Sequence, residues 1–288
     1  MVKVTASFNK LTRKPCFICD YSPPKSGLTE SNALYPDMAD YILVNSSPGF
    51  PVRASSSMVA AYIKGNGIAD PIFTVVTRDM NKLALDSLIL GGSIIGLENV
   101  VVLGGDSFQA ERSDNPTAIN DYTTTELIRS IVNLKQGIDY RGVELDRPAD
   151  ICVGSVLDLS SGVNKEVMLA RKKILAGVEY FITQPVYDMG SVDMFYDLYR
   201  ERFFEDIKVP ILWGIQIPDV NCISLTMFPD WVEDALNDGE DPVAIALRLY
   251  KPFDCRDLKD MYIVPTIYKG GHRNYSSANI FMSTAKQT

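Results

Sequence analysis

Eight short apolar runs recur along this chain of 288 residues, at 17–21, 41–46, 72–77, 100–103, 151–153, 180–183, 211–215 and 262–266. Each is apolar throughout rather than alternating, the pattern of a strand covered on both faces. Between many of them lie stretches of helical periodicity, clearest at 81–90, 124–134, 165–175, 192–203 and 242–249. Strands that alternate with helices pair in parallel, and eight is the number that closes into a barrel at this length. The sequence therefore predicts an α/β fold, a single-domain (β/α)8 (TIM) barrel over residues 1–288. With 46% hydrophobic residues the chain can fill such a core, and no linker-like stretch divides it.

This architecture gathers residues that are distant in sequence, because the C-terminal ends of parallel strands form one face. Three stretches turn polar where a strand ends: Cys19-Asp20-Tyr21-Ser22-Pro23-Pro24, Leu103-Gly104-Gly105-Asp106 and Phe181-Ile182-Thr183-Gln184 with Pro185-Val186-Tyr187-Asp188. Asp20, Asp106 and Gln184 are expected to meet there. Residues 107–123, polar and containing Pro116, read as a long loop of the kind that borders an active site. The connection 219–241 is expected to carry a short extra helix around Trp231.

Charge and cysteine content exclude several classes. A formal net charge of −8 and a pI near 4.8 oppose a phosphate-tracking surface, so no nucleic-acid partner is expected. The N-terminus is interrupted by Lys3, Lys10, Arg13 and Lys14, and no apolar run is long enough to span a bilayer. Cytoplasmic residence is the expectation. Five cysteines, an odd count with only Cys16 and Cys19 close together, fit reduced thiols. Half a zinc site has no second half here, and strand geometry points Cys16 and Cys19 to opposite faces, so they read as core and no metal is expected.

Each polar strand end admits a chemical and a structural reading. A desolvated Asp20 could serve as a general acid, or it could make a turn. Gly104-Gly105 permits close backbone approach to a flat or phosphorylated ligand, with Asp106 as acceptor, or it marks a bend; it is not a Gly-x-Gly-x-x-Gly fingerprint. The Gln184 amide can read a ring edge bearing N–H and C=O, or cap a loop. In Thr77-Arg78-Asp79-Met80-Asn81 the structural reading is preferred, with Asp79 capping the next helix. Gly270-Gly271-His272-Arg273 follows the eighth strand, where barrels often hold an anion. His272 is the only histidine, and no Ser or Cys motif pairs with it.

In this order and on these strands, the motifs resemble the methylenetetrahydrofolate reductase family, whose catalytic domain is a flavin-binding (β/α)8 barrel. The positions that carry the resemblance are Asp20 with Tyr21 to Pro24, Thr77-Arg78-Asp79 with Asn81, Gly105-Asp106, and Ala176-Gly177 through Thr183-Gln184 to Asp188. It implies an oxidoreductase that passes hydride from NAD(P)H through FAD to the methylene group of a tetrahydropterin carrier in one-carbon metabolism. It implies catalytic roles for Asp20, as the acid that helps open the methylene bridge, and for Asp106, facing flavin and pterin. Gln184, Tyr21 and Gln216 would contact substrate; Ser47, Thr74, Gly105, Asp106, Tyr122 and Lys172 would contact the flavin. The length matches a catalytic core, which leaves room for a homo-oligomer or an electron-donating partner subunit.

The chain also departs from the family pattern. Asp20 replaces a Glu; Thr74 and Gly104 stand where His and Arg are common. Gly154-Ser155-Val156-Leu157 replaces a His-Pro after strand five, and Cys222 an aromatic beyond strand seven. These changes keep two alternatives open: hydride transfer directly from NAD(P)H without flavin, and a pterin- or flavin-binding subunit that does not turn over alone.

Overall fold

A computed structural model describes residues 2–8, 14–28, 34–48, 51–108 and 116–287. Eight strands, β1 (Phe17–Tyr21), β2 (Tyr41–Val44), β3 (Asp70–Val76), β4 (Asn99–Leu103), β5 (Cys152–Leu157), β6 (Tyr180–Pro185), β7 (Ile211–Gln216) and β8 (Met261–Val264), pair in parallel in sequence order. The barrel closes where Ile18 of β1 pairs with Tyr262 of β8. Helices α1 (Ser56–Gly65), α2 (Lys82–Ile94), α3 (Thr124–Lys135), α4 (Val163–Ala176), α5 (Met189–Phe203), α6 (Asp230–Asn237), α7 (Pro242–Asp254) and α8 (Tyr275–Ala285) lie outside it. The extra helix expected around Trp231 is α6. Helices α1 and α8, at stretches the sequence reading did not single out, also surround the barrel. No helix among the described residues is long and apolar enough to cross a membrane.

Successive side chains on a strand point to opposite faces, and here even-numbered positions point inward on β1, β3 and β5 to β8, odd-numbered ones on β2 and β4. Ile18, Tyr41, Ile72, Val101, Cys152, Tyr180, Leu212 and Tyr262 belong to the inner core. Their neighbours, such as Phe17, Cys19, Val100 and Trp213, pack beneath the helices. Tyr41 and Leu43 keep inward faces on β2 with the opposite parity, as the register Ile18↔Tyr41 requires. Cys16 and Cys19 are both buried and free, one on each side of the sheet. Tyr180 fills the barrel at a level where Gly154 leaves room; a Cβ on Gly154 would run into the Tyr180 ring.

Two sequence expectations change. The apolar run at 151–153 places the end of strand five at Val153, but Gly154-Ser155-Val156-Leu157 continues it as β5, because Gly154 is a packing glycine rather than a turn glycine. Asp79 does not cap α2. Its carboxylate is held by Arg78, at 2.6 Å from Nε and 3.0 Å from Nη2, and Asn81 caps instead by accepting from the Ala84 N–H at 2.9 Å. Within 107–123, residues 109–115 lie outside those described; 107–108 and 116–123 form neither helix nor strand. After β8 a hairpin of β9 (Thr266–Ile267) and β10 (Arg273–Asn274) folds back, turned by Gly270 and Gly271 at φ of 88° and 84°.

Candidate functional site

The C-terminal ends of the strands open into a cavity of about 820 Å³. Its walls include Asp20 from β1, Asn45 to Ser47 after β2, Arg78 after β3, Gly104 to Asp106 after β4 and Gln184 from β6. Asp20, Asp106 and Gln184, separated by most of the chain, thus line one space. Ser47 and Gly105 also line it. Ser47 holds a left-handed backbone at φ 40°, a conformation unusual for a side-chain-bearing residue.

Asp20 sits at the floor, and three donors converge on its carboxylate. Tyr262 donates its hydroxyl to Oδ1 at 2.9 Å, Asn45 donates its side-chain amide to the same oxygen, and Arg273 Nε donates to Oδ2 at 3.0 Å. Burial opposes the Arg273 charge, yet Asp20 and the phenolic oxygens nearby hold that guanidinium above its ordinary value. Burial pushes the Tyr262 phenol well up, and the Asp20 charge adds to the shift. In this arrangement both Asp20 oxygens act as acceptors, and the three donors take three of the roughly four lone-pair sites of a carboxylate.

At the opposite wall, Gly105 lets the β4 loop lie on Arg78. It adopts φ 85°, and a Cβ there would collide with the Val76 side chain. Arg78 Nη1 donates to the Asp106 carbonyl at 2.7 Å, while its guanidinium lies 4.3 Å from the Phe108 ring centroid. The Asp106 carboxylate is left on the exposed rim of the cavity.

Gln184 reaches the cavity through an irregularity in β6. The register with β7 shifts between Ile182 and Pro185, the kind of bulge that re-aims a side chain. Gly214 makes it possible: its N–H donates to Thr183 Oγ1 at 2.7 Å, and a Cβ would strike the backbone of Thr183 and Gln184.

Between these walls, α4 contributes a buried pair that the motif reading missed. Glu166 and Lys173 both line the cavity together with Ser155, Ser160 and Ser161. Burial raises the Glu166 carboxyl, and its Oε2 is buried without a hydrogen-bond partner. Burial lowers Lys173, with Glu166 opposing the shift, and its ammonium donates to the Val156 carbonyl.

Five residues expected at the site lie elsewhere. Lys172 is exposed on the outer face of α4, because the inward stripe runs Val167, Ala170, Lys173. Tyr21 has odd parity, so it faces outward and stacks on Tyr35 and Tyr275, with centroids 5.3 Å away in each case. Thr74 faces inward but below the cavity, donating to the Val44 carbonyl at 3.1 Å. Tyr122 is buried behind the sheet, donating to Ser130 at 2.8 Å. Gln216 is fully buried and bonds both ways to the following loop, donating to the Ile223 carbonyl at 2.7 Å and accepting from Leu225 N–H at 2.9 Å. That loop in turn supplies Leu225 and Thr226 to the cavity wall. No group of three or more His, Cys, Asp or Glu among the described residues is placed to hold a metal ion.

A family model described as methylenetetrahydrofolate reductase matches residues 7–238. Among solved structures, an uncharacterized protein from Clostridium thermocellum that binds two copies of 5-methyl-5,6,7,8-tetrahydrofolic acid superposes with a TM-score of 0.64 at 16% identity, covering 96% of this chain and 97% of that one. A 2,3-dimethylmalate lyase of the PEP mutase/isocitrate lyase superfamily follows with a TM-score of 0.51 at 12% identity, covering 92% and 81%. At these identities the likeness is one of fold. Curated protein sequences yield no match.

Proposed function

The chain belongs to the methylenetetrahydrofolate reductase family, and from that premise we propose that it binds a tetrahydropterin one-carbon carrier in the large cavity and reduces the methylene unit to methyl. The observation that carries this reading is the convergence of Asp20, Asp106 and Gln184 on one cavity from strands one, four and six. The folate-binding neighbour supports a reduced pterin as the ligand class.

Gln184 and Asp106 supply complementary recognition. The Gln184 amide donates and accepts along the pterin edge, and the Asp106 carboxylate accepts from ring N–H groups. Asp20 stands at the floor, where a carboxylic acid would deliver a proton to the nitrogen released as the bridge opens, once substrate displaces Asn45 or Arg273. When bound, FAD supplies the hydride that NAD(P)H provides. The residues that fit such a cofactor are Glu166, whose unpartnered Oε2 can accept from a hydroxyl, and Lys173 and Lys165, which match a phosphate. Thr74, Tyr122 and Lys172 are not available for that task.

A second reading is favoured by the three donors on Asp20: a subunit that holds the carrier without turning it over. An anaerobic absorbance spectrum of purified protein, taken before and after adding 5-methyltetrahydrofolate, separates the two. A flavin band that bleaches supports the reductase. A colourless protein that binds the carrier but exchanges no hydride with NAD(P)H overturns it in favour of the binding subunit, and one that does exchange hydride points to direct transfer without flavin.

A further inference from the structure

A second cleft, of about 350 Å³, adjoins the large cavity and shares Pro48, Leu225 and Arg273 with it. Three cations line it, Lys25, Arg53 and Arg273, and no acidic residue does. The cations converge on one hairpin. Lys25 Nζ donates to the Gly270 carbonyl at 3.2 Å, and Arg53 lies against the next residue, where a Cβ on Gly271 would sit 2.6 Å from Nη2. Only glycine, at φ 84°, lets the hairpin cross there.

The charges are not balanced locally. Arg273 spends its Nε on Asp20. Arg53 donates Nη1 to the Pro23 carbonyl at 2.8 Å, its Nε is buried without a partner, and among the described residues no carboxylate lies within ion-pair distance of it. Burial and the neighbouring Arg273 charge hold the Arg53 guanidinium below its ordinary value. Arg53 is only partly buried, but its sequestered Nε leaves an N–H unmet that a ligand acceptor would satisfy. Apolar side chains, Pro51, Ile223 and Ile267, form the remaining wall.

We propose that this cleft is an anion-recognition site for a carboxylate or phosphate group, held by Arg53 with Lys25 and the free terminal nitrogens of Arg273, with the apolar wall against the ligand's body. The anion has two sources, a charged tail on the ligand of the large cavity or a separate small metabolite. The site stands on the cleft itself; only assignment to a tail rests on the pterin reading.

Calorimetric titration of the full chain tests it with four probes: inorganic phosphate, citrate, 5-methyltetrahydrofolate, and 6-methyltetrahydropterin, which lacks the carboxylate tail. Arg53→Gln and Lys25→Gln are compared with wild type, each checked for an unchanged melting profile. If the anion is a tail, each variant binds 5-methyltetrahydrofolate at least about tenfold more weakly while 6-methyltetrahydropterin is unaffected. If it is a separate metabolite, wild type binds phosphate or citrate, the variants lose that binding, and both pterins bind as before. Phosphate or citrate binding with no pterin binding sustains the site and sinks the pterin reading. All four affinities unchanged in both variants, or no probe bound by wild type, overturns the proposal.

Discussion

Asp20 and Arg273 form an ion pair sealed at the mouth of the barrel, with Nε 3.0 Å from Oδ2 and side chains only 4% and 8% exposed. The partners come from the first strand and from the hairpin after the eighth, so the pair ties the seam where the barrel closes. A buried pair adds little over an apolar substitute, but removing one member strands the other charge. Arg273→Met is expected to cost about 3–5 kcal/mol in urea unfolding. The Asp20→Asn, Arg273→Met double variant should recover a substantial part of that loss. A double-variant loss equal to the sum of the two single-variant losses would show that the charges do not depend on one another.

The two adjacent lysines of α4 offer a sharp contrast, because helical geometry sends Lys173 into the cavity and Lys172 to solvent. Lys172→Met should leave both stability and ligand binding within error. Lys173→Met, which preserves length and apolar contact, should weaken binding of a phosphate-bearing cofactor such as FAD about tenfold or more, since one charge-assisted hydrogen bond is lost. Fluorescence quenching on flavin addition measures both. Equal affinities would remove Lys173 from the cofactor wall.

Glu166 should leave a signature in the pH dependence of stability. Its carboxyl is raised above the ordinary 4.5, chiefly by burial, so the folded state holds that proton more tightly than the unfolded chain does. The resulting stabilisation is complete below 4.5 and is lost as pH rises through the raised value. Lys173 is lowered from 10.5, so its contribution returns only as pH climbs toward that value. Glu166→Gln is expected to flatten the acid-side loss. It should also enlarge the alkaline gain, because Glu166 no longer supports the Lys173 charge. Urea midpoints from about pH 5 to pH 9 read both slopes, and parallel wild-type and variant curves would refute the assignment.

The alternation of apolar runs and helical stretches carried the barrel, because burial on both faces writes itself into strand composition. Asp20, Asp106 and Gln184 were legible for a related reason: polar residues directly after such a run have only the barrel mouth to occupy. What failed was facing. Tyr21 adjoins Asp20 and therefore points the opposite way, and Lys172 adjoins Lys173 on a helix whose apolar stripe selects the latter; both signals were present as periodicity but were outweighed by motif position. Asp79 lost its capping role to Asn81 because Arg78 competes for its carboxylate, a contact that no local rule reveals. The Arg53 cleft was less legible still, since it depends on a glycine hairpin more than two hundred positions away.

Gln184 and Gln216 end neighbouring strands and invite the same functional reading, yet their surroundings differ. Gln184 lines the cavity with its side chain partly exposed, whereas Gln216 is fully buried and bonded through both amide atoms to Ile223 and Leu225. Gln184→Ala should therefore weaken carrier binding about tenfold and leave the melting temperature nearly unchanged, since no buried partner loses a hydrogen bond. Gln216→Leu keeps the volume but strands a buried N–H and a carbonyl, and should cost about 1–3 kcal/mol of stability. Because the loop it anchors carries Leu225 and Thr226 into the cavity wall, that variant should also lose affinity, but only in proportion to the disorder of the loop. Paired melting and binding curves separate the cases: a Gln184 variant that melts early and binds normally would reverse the two roles.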